Sequence, residues 1–423
     1  MSWEYYDRLD DRLFSRRLAC GLTVKVVPKP GFTRRLAYFV TDFGSIHRDF
    51  ILDGREYHTP AGVAHFLEHK LFELPERDVT AEFAALGADV NAFTSFDMTA
   101  YYFSCTSNFE QSLRLLLEFV STPWFPEESV RREYGIIDQE IAMNEDAPDS
   151  REFEALMEKM YRHHPVRVPI LGTRESIRQI SAQTLYDCHR AFYTPANMCL
   201  CVVGDVDAEQ VCAIAEAVLG TEYRAPAEKI KNWPEEMACS GEPARLRLEV
   251  AMPTFQLGFK CEPAGRGERA IRTDVVGYLA AELLFGESTE LYLQLYEDGI
   301  IDSSFGGSFE TIDGCAMLTC GGDGRGGEAV RQALLDRAKQ LAEQGPDEEA
   351  LLRLKRGAMG RRLRDLDSFD ALCFRLCAYH FLGYDYLRFP EIYAGVTADE
   401  VRAFLARVIT EDRCAMTITE PIE

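Results

Sequence analysis

Two histidines four residues apart, His65 and His69, enclose a glutamate in the stretch His65-Phe66-Leu67-Glu68-His69. On a helix, positions four apart project from one face, so the two imidazoles can share one metal ion. Glu68, beside both, is then placed to take a proton from a water activated there. With 8 His and 69 acidic residues in the chain, chance places this pattern in about one such chain in forty. The motif therefore needs support from elsewhere, and the plainer reading is a polar patch on an ordinary helix. A catalytic zinc usually takes three protein ligands and keeps a fourth position open. Glu133 and Glu140 lie two turns apart on one helix face, and Ile136, Ile137 and Ile141 supply an apolar stripe to hold that helix against a core. Either carboxylate suits the third position, and both are equally compatible with solvated surface charges.

The elements that must position these groups can be read from periodicity and turn residues. Strands are expected at 22–28 and 36–43, and the motif helix starts near Thr59-Pro60, with proline at an early helical position. A helix over 78–86 ends at Gly87, and strands follow at 90–95 and 100–104. Helices are expected at 109–121, 127–145, 150–160 and 182–192, then a strand at 198–204 and a helix at 207–219. The stretch between Gly220 and Pro243, rich in Pro, Glu and Lys, is the best linker. It divides the chain into domains at 1–220 and 245–423, with 221–244 between them.

The second half faintly repeats the first. Val276–Phe285 lies over Gly62–Phe72 so that Leu284-Phe285 meets Leu71-Phe72. His65 then falls on Tyr278, Glu68 on Ala281 and His69 on Glu282. Gly299 falls within one residue of Gly87's place, and Ser303–Gly306 in that of the Asn91 strand. Helix 398–409 followed by strand 415–419 echoes 182–204. A period of roughly 210 residues implies duplication of one α+β domain. The second copy lacks the ligands, so one zinc per chain is expected.

With these residues in view, the chain resembles the pitrilysin/insulinase-type zinc peptidases, the inverzincins, whose motif order is H-x-x-E-H. The matching residues are Ala61–His69, Gly87, Asn91–Ser95, Glu133, Glu140, Leu171–Thr173, Tyr193–Met198 and Val202–Asp205. The resemblance is strong over the first ~220 residues and fainter beyond. It implies two duplicated α/β-sandwich domains, each an antiparallel or mixed sheet covered by helices, in the LuxS/MPP-like metallopeptidase architecture. It implies His65, His69 and Glu140 as zinc ligands, with Glu133 and Glu145 as substitutes for the third. Glu68 is then the catalytic base and Glu133 an acidic helper. Asn91, Ala92, Phe93 and Thr94 form an edge strand to which an extended peptide adds. Phe93, Phe96 and Tyr101 are core or pocket residues, whereas His58, His163, His164 and His189 are read as surface or capping histidines. The implied activity is zinc-dependent endopeptidase cleavage of unfolded peptides or leader segments. It would occur in a clamshell chamber completed by a second subunit, a copy of this chain or a paralogue without zinc. Family members often carry an Arg/Tyr pair in the far domain, but 291–299 offers Tyr292 and Tyr296 and no Arg. The competing reading is a non-catalytic scaffold or partner subunit of the same fold, which requires a damaged motif. A hydrolase of non-peptide amides is a third reading.

Composition narrows the setting. The 423 residues exceed one ordinary domain. A net charge of −23 argues against a nucleic-acid partner. No run approaches the ~18–20 apolar residues of a membrane span, and residues 1–8 lack the apolar core of a secretory signal. The thirteen cysteines are scattered without a C-x-x-C pair. They are expected to be buried free thiols in a reducing cytoplasm rather than disulfides or a second metal site.

Overall fold

Apolar, β-branched and aromatic runs such as Leu36–Val40 and Met198–Val203 pair into a seven-stranded sheet. Its order is Ser2–Tyr6, Asp11–Arg17, Thr23–Pro28, Met198–Gly204, Arg35–Thr41, Thr99–Cys105 and Ala88–Thr94. The pairing is antiparallel except between Met198–Gly204 and Thr23–Pro28, which run parallel. The computed structural model describes residues 2–239 and 241–422. This first sheet belongs to one of two units, built from Met1–Ile141, Pro169–Lys231 and Leu363–Arg388. All seven residues of Met198–Gly204 are buried, so the sheet is covered on both faces and reads as a continuous apolar run. One cover is the helix Phe369–Phe381, which packs on that strand and on Arg35–Thr41.

The motif helix, Val63–Leu71, buries Val63, Ala64, Phe66, Leu67 and Leu71 in the core of this unit and packs against Ala88–Thr94 and Thr99–Cys105. Its entrance depends on two glycines. A Cβ on Gly62 (φ +87) would sit 2.4 Å from the Leu171 carbonyl oxygen, and one on Gly172 (φ +76) 2.6 Å from that of Ala61. Both positions also need the left-handed backbone that glycine adopts without strain. The Leu171–Thr173 turn thereby locks the start of the motif helix, and the Ser176 hydroxyl bonds the Ala61 carbonyl at 2.9 Å.

The second unit comprises Ala142–Val168, Asn232–Arg362 and Phe389–Glu423. Its sheet runs Ala244–Leu248, Cys414–Pro421, Thr254–Cys261, Cys315–Asp323 and Gly306–Ile312. The first pair is parallel and the rest antiparallel, the sense and order of the last five strands of the first sheet. Gly87 and Gly299 both take positive φ, 72 and 67, before the edge strand of their sheet. The fold is therefore α+β, one design used twice.

The units do not follow a single cut near 221–244. Helix Pro148–Met160, from the first half, packs on strands of the second sheet, approaching closely where Gly258 would place a Cβ 2.4 Å from Met160 Sδ. Helix Phe369–Phe381 from the second half covers the first sheet. An amphipathic stripe specifies burial but not which sheet buries it. The expected linker is also bound at both ends, since Glu228–Lys229 pairs with Asp49–Leu52 and Glu235 bonds Lys260.

The expected helices and strands of the first half are present within a few residues. The N-terminal hairpin Ser2–Tyr6/Asp11–Arg17 and the strands Asp49–Leu52 and Arg55–His58 were not expected; their polar composition hides them. All thirteen cysteines are free and all but Cys239 are buried. The structure does gather Cys201 and Cys373, with the Cys373 thiol 3.8 Å from the Cys201 carbonyl. His164 and His189 are buried rather than superficial. His164 caps the turn at Val166, and His189 bonds the Val120 carbonyl. Among the described residues no helix is long and apolar enough to cross a membrane.

Lys260 is almost fully buried, its ammonium 2.6 Å from Glu235. Glu235 also accepts the backbone N–H groups of Arg162, His163 and His164. Burial would raise this carboxyl, but Lys260 and the three N–H groups outweigh it and hold it down at about 2. Its stabilisation is thus present above the ordinary carboxylate range and lost as pH falls through about 2. Glu235→Ala, which strands the ammonium, should cost about 3–5 kcal/mol. Urea unfolding followed by Trp233 fluorescence, with Trp3 and Trp124 replaced by Phe, would measure it. A loss below about 1 kcal/mol, the scale of an exposed pair, would mean that the pair holds nothing together.

Candidate active site

His65 and His69 project from helix Val63–Leu71, and Glu140 from helix Glu127–Glu145. One donor atom from each lies within 4.8 Å of the other two, the one such group of three found among the described residues. His65 Nε2 is 3.5 Å from Glu140 Oε1, and His69 Nε2 is 3.4 Å from Oε2. These separations are long for charge-assisted hydrogen bonds. They match about 3.4 Å, the edge of a tetrahedron whose centre lies about 2.1 Å from each donor. Two imidazoles and a carboxylate at this spacing fit a zinc ion.

The surroundings orient the donors. His69 Nδ1 is 3.0 Å from Glu133 Oε1, the carboxylate–histidine arrangement that fixes a ring and leaves its other nitrogen for a metal. Glu133 is in turn held by Lys70, whose buried ammonium lies 3.4 Å from Oε2 and also bonds Glu73 and Ser129. His65, 7% exposed, is fixed by packing, and its buried Nδ1 has no hydrogen-bond partner among the described residues. Glu145, at the end of the same helix as Glu140, is not one of the three donors.

The charges are tuned by contact. The hydrogen bonds of His65 and His69 hold Glu140 well below the usual carboxylate range. Burial would raise Glu133, but the bonds and charges of His69 and Lys70 leave it lowered. Glu68 is the exception: burial raises it, against the opposing pull of Thr94, His65 and His69. Burial alone would lower His69, yet its bonds to Glu133 and Glu140 outweigh this and raise it to about 9.

Ala88–Thr94 is the edge of its sheet, so one side of its backbone is free of strand partners. Asn91 is exposed, and its side-chain oxygen accepts the Ala92 N–H at 2.8 Å. Ala92 and Phe93 are partly exposed. The Thr94 hydroxyl donates to Glu68 Oε2 at 2.6 Å, so this side chain faces the glutamate. Tyr101 is wholly buried, its hydroxyl 2.8 Å from that of Tyr193.

Sequence reasoning missed Lys70, Thr94 in this role and the Tyr101–Tyr193 pair. Lys70 falls at helical spacing from Val63, Phe66 and Leu67, on the apolar face of the motif helix, and that position was the available signal for the first. The other two carry none, because they depend on how a strand packs against a helix distant in sequence. In the second unit, Tyr278, Ala281 and Glu282 stand where alignment puts His65, Glu68 and His69, and they form no group of three donors.

In the metal-free chain, His69 should titrate near pH 9 by NMR. The sign follows from the raised value: the bound proton stabilises the fold below the ordinary histidine range, and this is lost as pH rises through about 9. Glu133→Gln removes a carboxylate and should move the titration down. An unchanged His69 titration would show that Glu133 does not hold the ring.

Residues 53–174 match the insulinase family, peptidase family M16, and residues 179–358 match the M16 inactive domain. An uncharacterized zinc protease of Bacillus subtilis, YmfH, is 35% identical over 421 residues, 98% of each chain. A crystal structure described as an M16-like peptidase from Alicyclobacillus acidocaldarius superposes with a TM-score of 0.93 at 32% identity, covering 98% of this chain and 99% of that one. The first half of the periplasmic protease PqqL from Escherichia coli shares the fold, with a TM-score of 0.75 at 18% identity over 99% of this chain and 93% of that one. The complete PqqL chain is covered over 48% of its length.

Proposed function

Because the chain belongs to the insulinase family of peptidases, M16, we propose that it is a zinc-dependent endopeptidase acting on unfolded peptides or leader segments. The observation that carries this reading is the convergence of His65, His69 and Glu140 with Glu68 alongside. In the proposal these three hold one zinc per chain. The chemistry zinc supplies when bound is Lewis-acid polarisation of the scissile carbonyl and of water. Glu68 takes the water's proton and returns it to the leaving amine. The raised carboxyl of Glu68 suits both transfers, and Thr94 fixes the orientation of that carboxyl. Glu133 holds His69 in the tautomer that leaves Nε2 free. Asn91, Ala92 and Phe93 offer an edge to which an extended peptide adds as a strand, once Asn91 releases the Ala92 N–H.

A second subunit completes the enzyme in this reading, a copy of the chain or a zinc-less paralogue. The likeness to half of PqqL supports it. Thirteen free thiols favour a reducing, cytoplasmic setting. A purely scaffolding role would leave the four motif residues without a purpose, and it is the second reading.

The test is cleavage of a mixed pool of unstructured peptides by the zinc-loaded chain, read by mass spectrometry. Glu68→Gln should retain zinc and lose cleavage, whereas His65→Ala should lose both. Full turnover by Glu68→Gln would refute the assignment. Thr94→Val, close in shape but without the hydroxyl, should lower kcat by about 10–100-fold with little change in KM. Thr94→Ser should restore most of it, and a change confined to KM would instead place Thr94 among the substrate contacts.

A further inference from the structure

The place in the second unit that corresponds to the donor triad is not vacant of charge. Tyr278 and Glu282 stand where His65 and His69 stand in the first unit, one turn apart on helix Glu268–Phe285. Arg361 reaches both from helix Glu348–Asp365, as Glu140 reaches both histidines. Its Nη2 donates to the Tyr278 hydroxyl and lies 3.3 Å from Glu282 Oε1, and its guanidinium sits 5.5 Å from the Tyr278 ring centre. Where the first unit assembles donors for a cation, the second carries a cation covalently attached to the chain.

That cation is incompletely used. Nη2 makes both bonds, and the Nε and Nη1 donors of Arg361 have no acceptor among the described residues. Arg361 is about half exposed. On the same exposed side of this helix lie Arg353, Arg356, Gly357 and Gly360, within an arc of roughly 140° at 100° per residue. Arg353 has only an exposed ion pair with Glu349, at 3.6 Å. Arg356 has no acidic partner among the described residues. The glycines open the surface between the arginines. A Cβ at Gly360 would meet nothing within 4 Å, and one at Gly357 only Arg361 Nη1 at 3.8 Å. The three guanidinium groups are spread over about 12 Å of helix axis, the length of about four residues of extended chain. In a chain of net charge −23, this is a local exception that a generally acidic surface does not require.

We propose that this face of the second unit binds an acidic stretch of an extended peptide, its Asp and Glu side chains engaging Arg353, Arg356 and Arg361. That the ligand is a peptide rests on the peptidase reading. The acidic character rests on the arginine face alone. Guanidinium groups pair carboxylates in two-pronged fashion, and several side chains along a strand use all three arginines where one terminal carboxylate would use a single one. The bare glycine floor suits a narrow chain rather than the broad surface of another folded subunit.

Binding can be measured without hydrolysis by placing Glu68→Gln in the full chain and following a fluorescein-labelled peptide by anisotropy. The probe is an unstructured, C-terminally amidated 12-mer with four Asp or Glu residues, compared with its Asn/Gln counterpart. The acidic peptide should bind about tenfold tighter, and the preference should shrink as salt rises. Arg356→Glu, at a side chain with no partner to lose, should abolish most of that preference, and Arg361→Gln should weaken it further. Equal affinity for the two peptides, an Arg356→Glu chain that binds as before, or a preference requiring a free C-terminal carboxylate would each overturn the proposal. So would a wild-type dimer that Arg356→Glu dissociates while peptide affinity is unchanged, which would assign the face to subunit contact. Failure of the wild-type chain to cleave any peptide, with the acidic preference intact, would sink the peptidase reading and leave this one standing.

Discussion

Holding two imidazoles and a carboxylate within 4.8 Å of one another leaves little slack between the two helices that carry them. A shift of an ångström would turn a metal-sized gap into an ordinary ion pair or open it to water. The structure meets this demand with apolar packing under the motif helix and with the Gly62/Gly172 contact that fixes where that helix begins. The carboxylate of Glu133 and the ammonium of Lys70 form a buried chain behind His69. Lys70 is the unexpected member of that chain. Its charge, taken out of water, is tolerable only because Glu73, Ser129 and Glu133 surround it. The same partners prevent Glu133 from swinging away from the histidine.

The groups at the centre divide by environment rather than by residue type. Three glutamates lie on the two helices of the site, and their carboxyls are pushed in different directions. Glu140 and Glu133 are lowered by the cationic partners each one touches. Glu68 is raised because burial removes it from water, which outweighs the bond from the Thr94 hydroxyl and the pull of the two histidines. In the proposed mechanism, separation of this kind would let Glu140 bind a metal and Glu68 accept and return a proton. The first sheet's edge strand takes part in this tuning through Thr94, so in the proposed mechanism one element would both align a peptide and orient Glu68.

Much of this was legible in the sequence because the site is local. His65, Glu68 and His69 share one helix, and Glu133 and Glu140 another, so helical spacing alone put each pair on one face. The gathering of Glu140 beside the histidines is a long-range fact: spacing offered Glu133 and Glu140 alike, and only resemblance to a family chose between them. Element order and the repeat were legible through period and turn residues, down to the glycines at 87 and 299, whereas the sheet architecture came through the resemblance. Contacts that depend on which helix lies against which strand were not. The packing of strand on helix sets Thr94 against Glu68 and Tyr101 against Tyr193, and the periodicity of one element does not encode the partner it meets dozens of residues away. The exchange of helices 148–160 and 369–381 was hidden for a similar reason, since each presents an apolar stripe that either sheet would accept.

Duplication shows which demands belong to the fold and which to the chemistry. The second unit repeats the strand order, the parallel pair and the positive-φ glycine, and it retains Leu284-Phe285 in the place of Leu71-Phe72. It keeps neither histidine, at 278 and 282, nor the glutamate, at 281. Ala281 joins the buried apolar residues of its helix, whereas Tyr278 and Glu282 stay partly exposed. What replaced the histidines is a tyrosine and a glutamate bonded to a fixed guanidinium, an arrangement that needs no ion to balance its charge. A site that loses its metal ligands one at a time would leave an unpaired glutamate on the helix face. Arg361 supplies the compensating charge and fastens its helix to the one carrying Tyr278 and Glu282, the connection that a shared ion would make between the corresponding helices of the first unit.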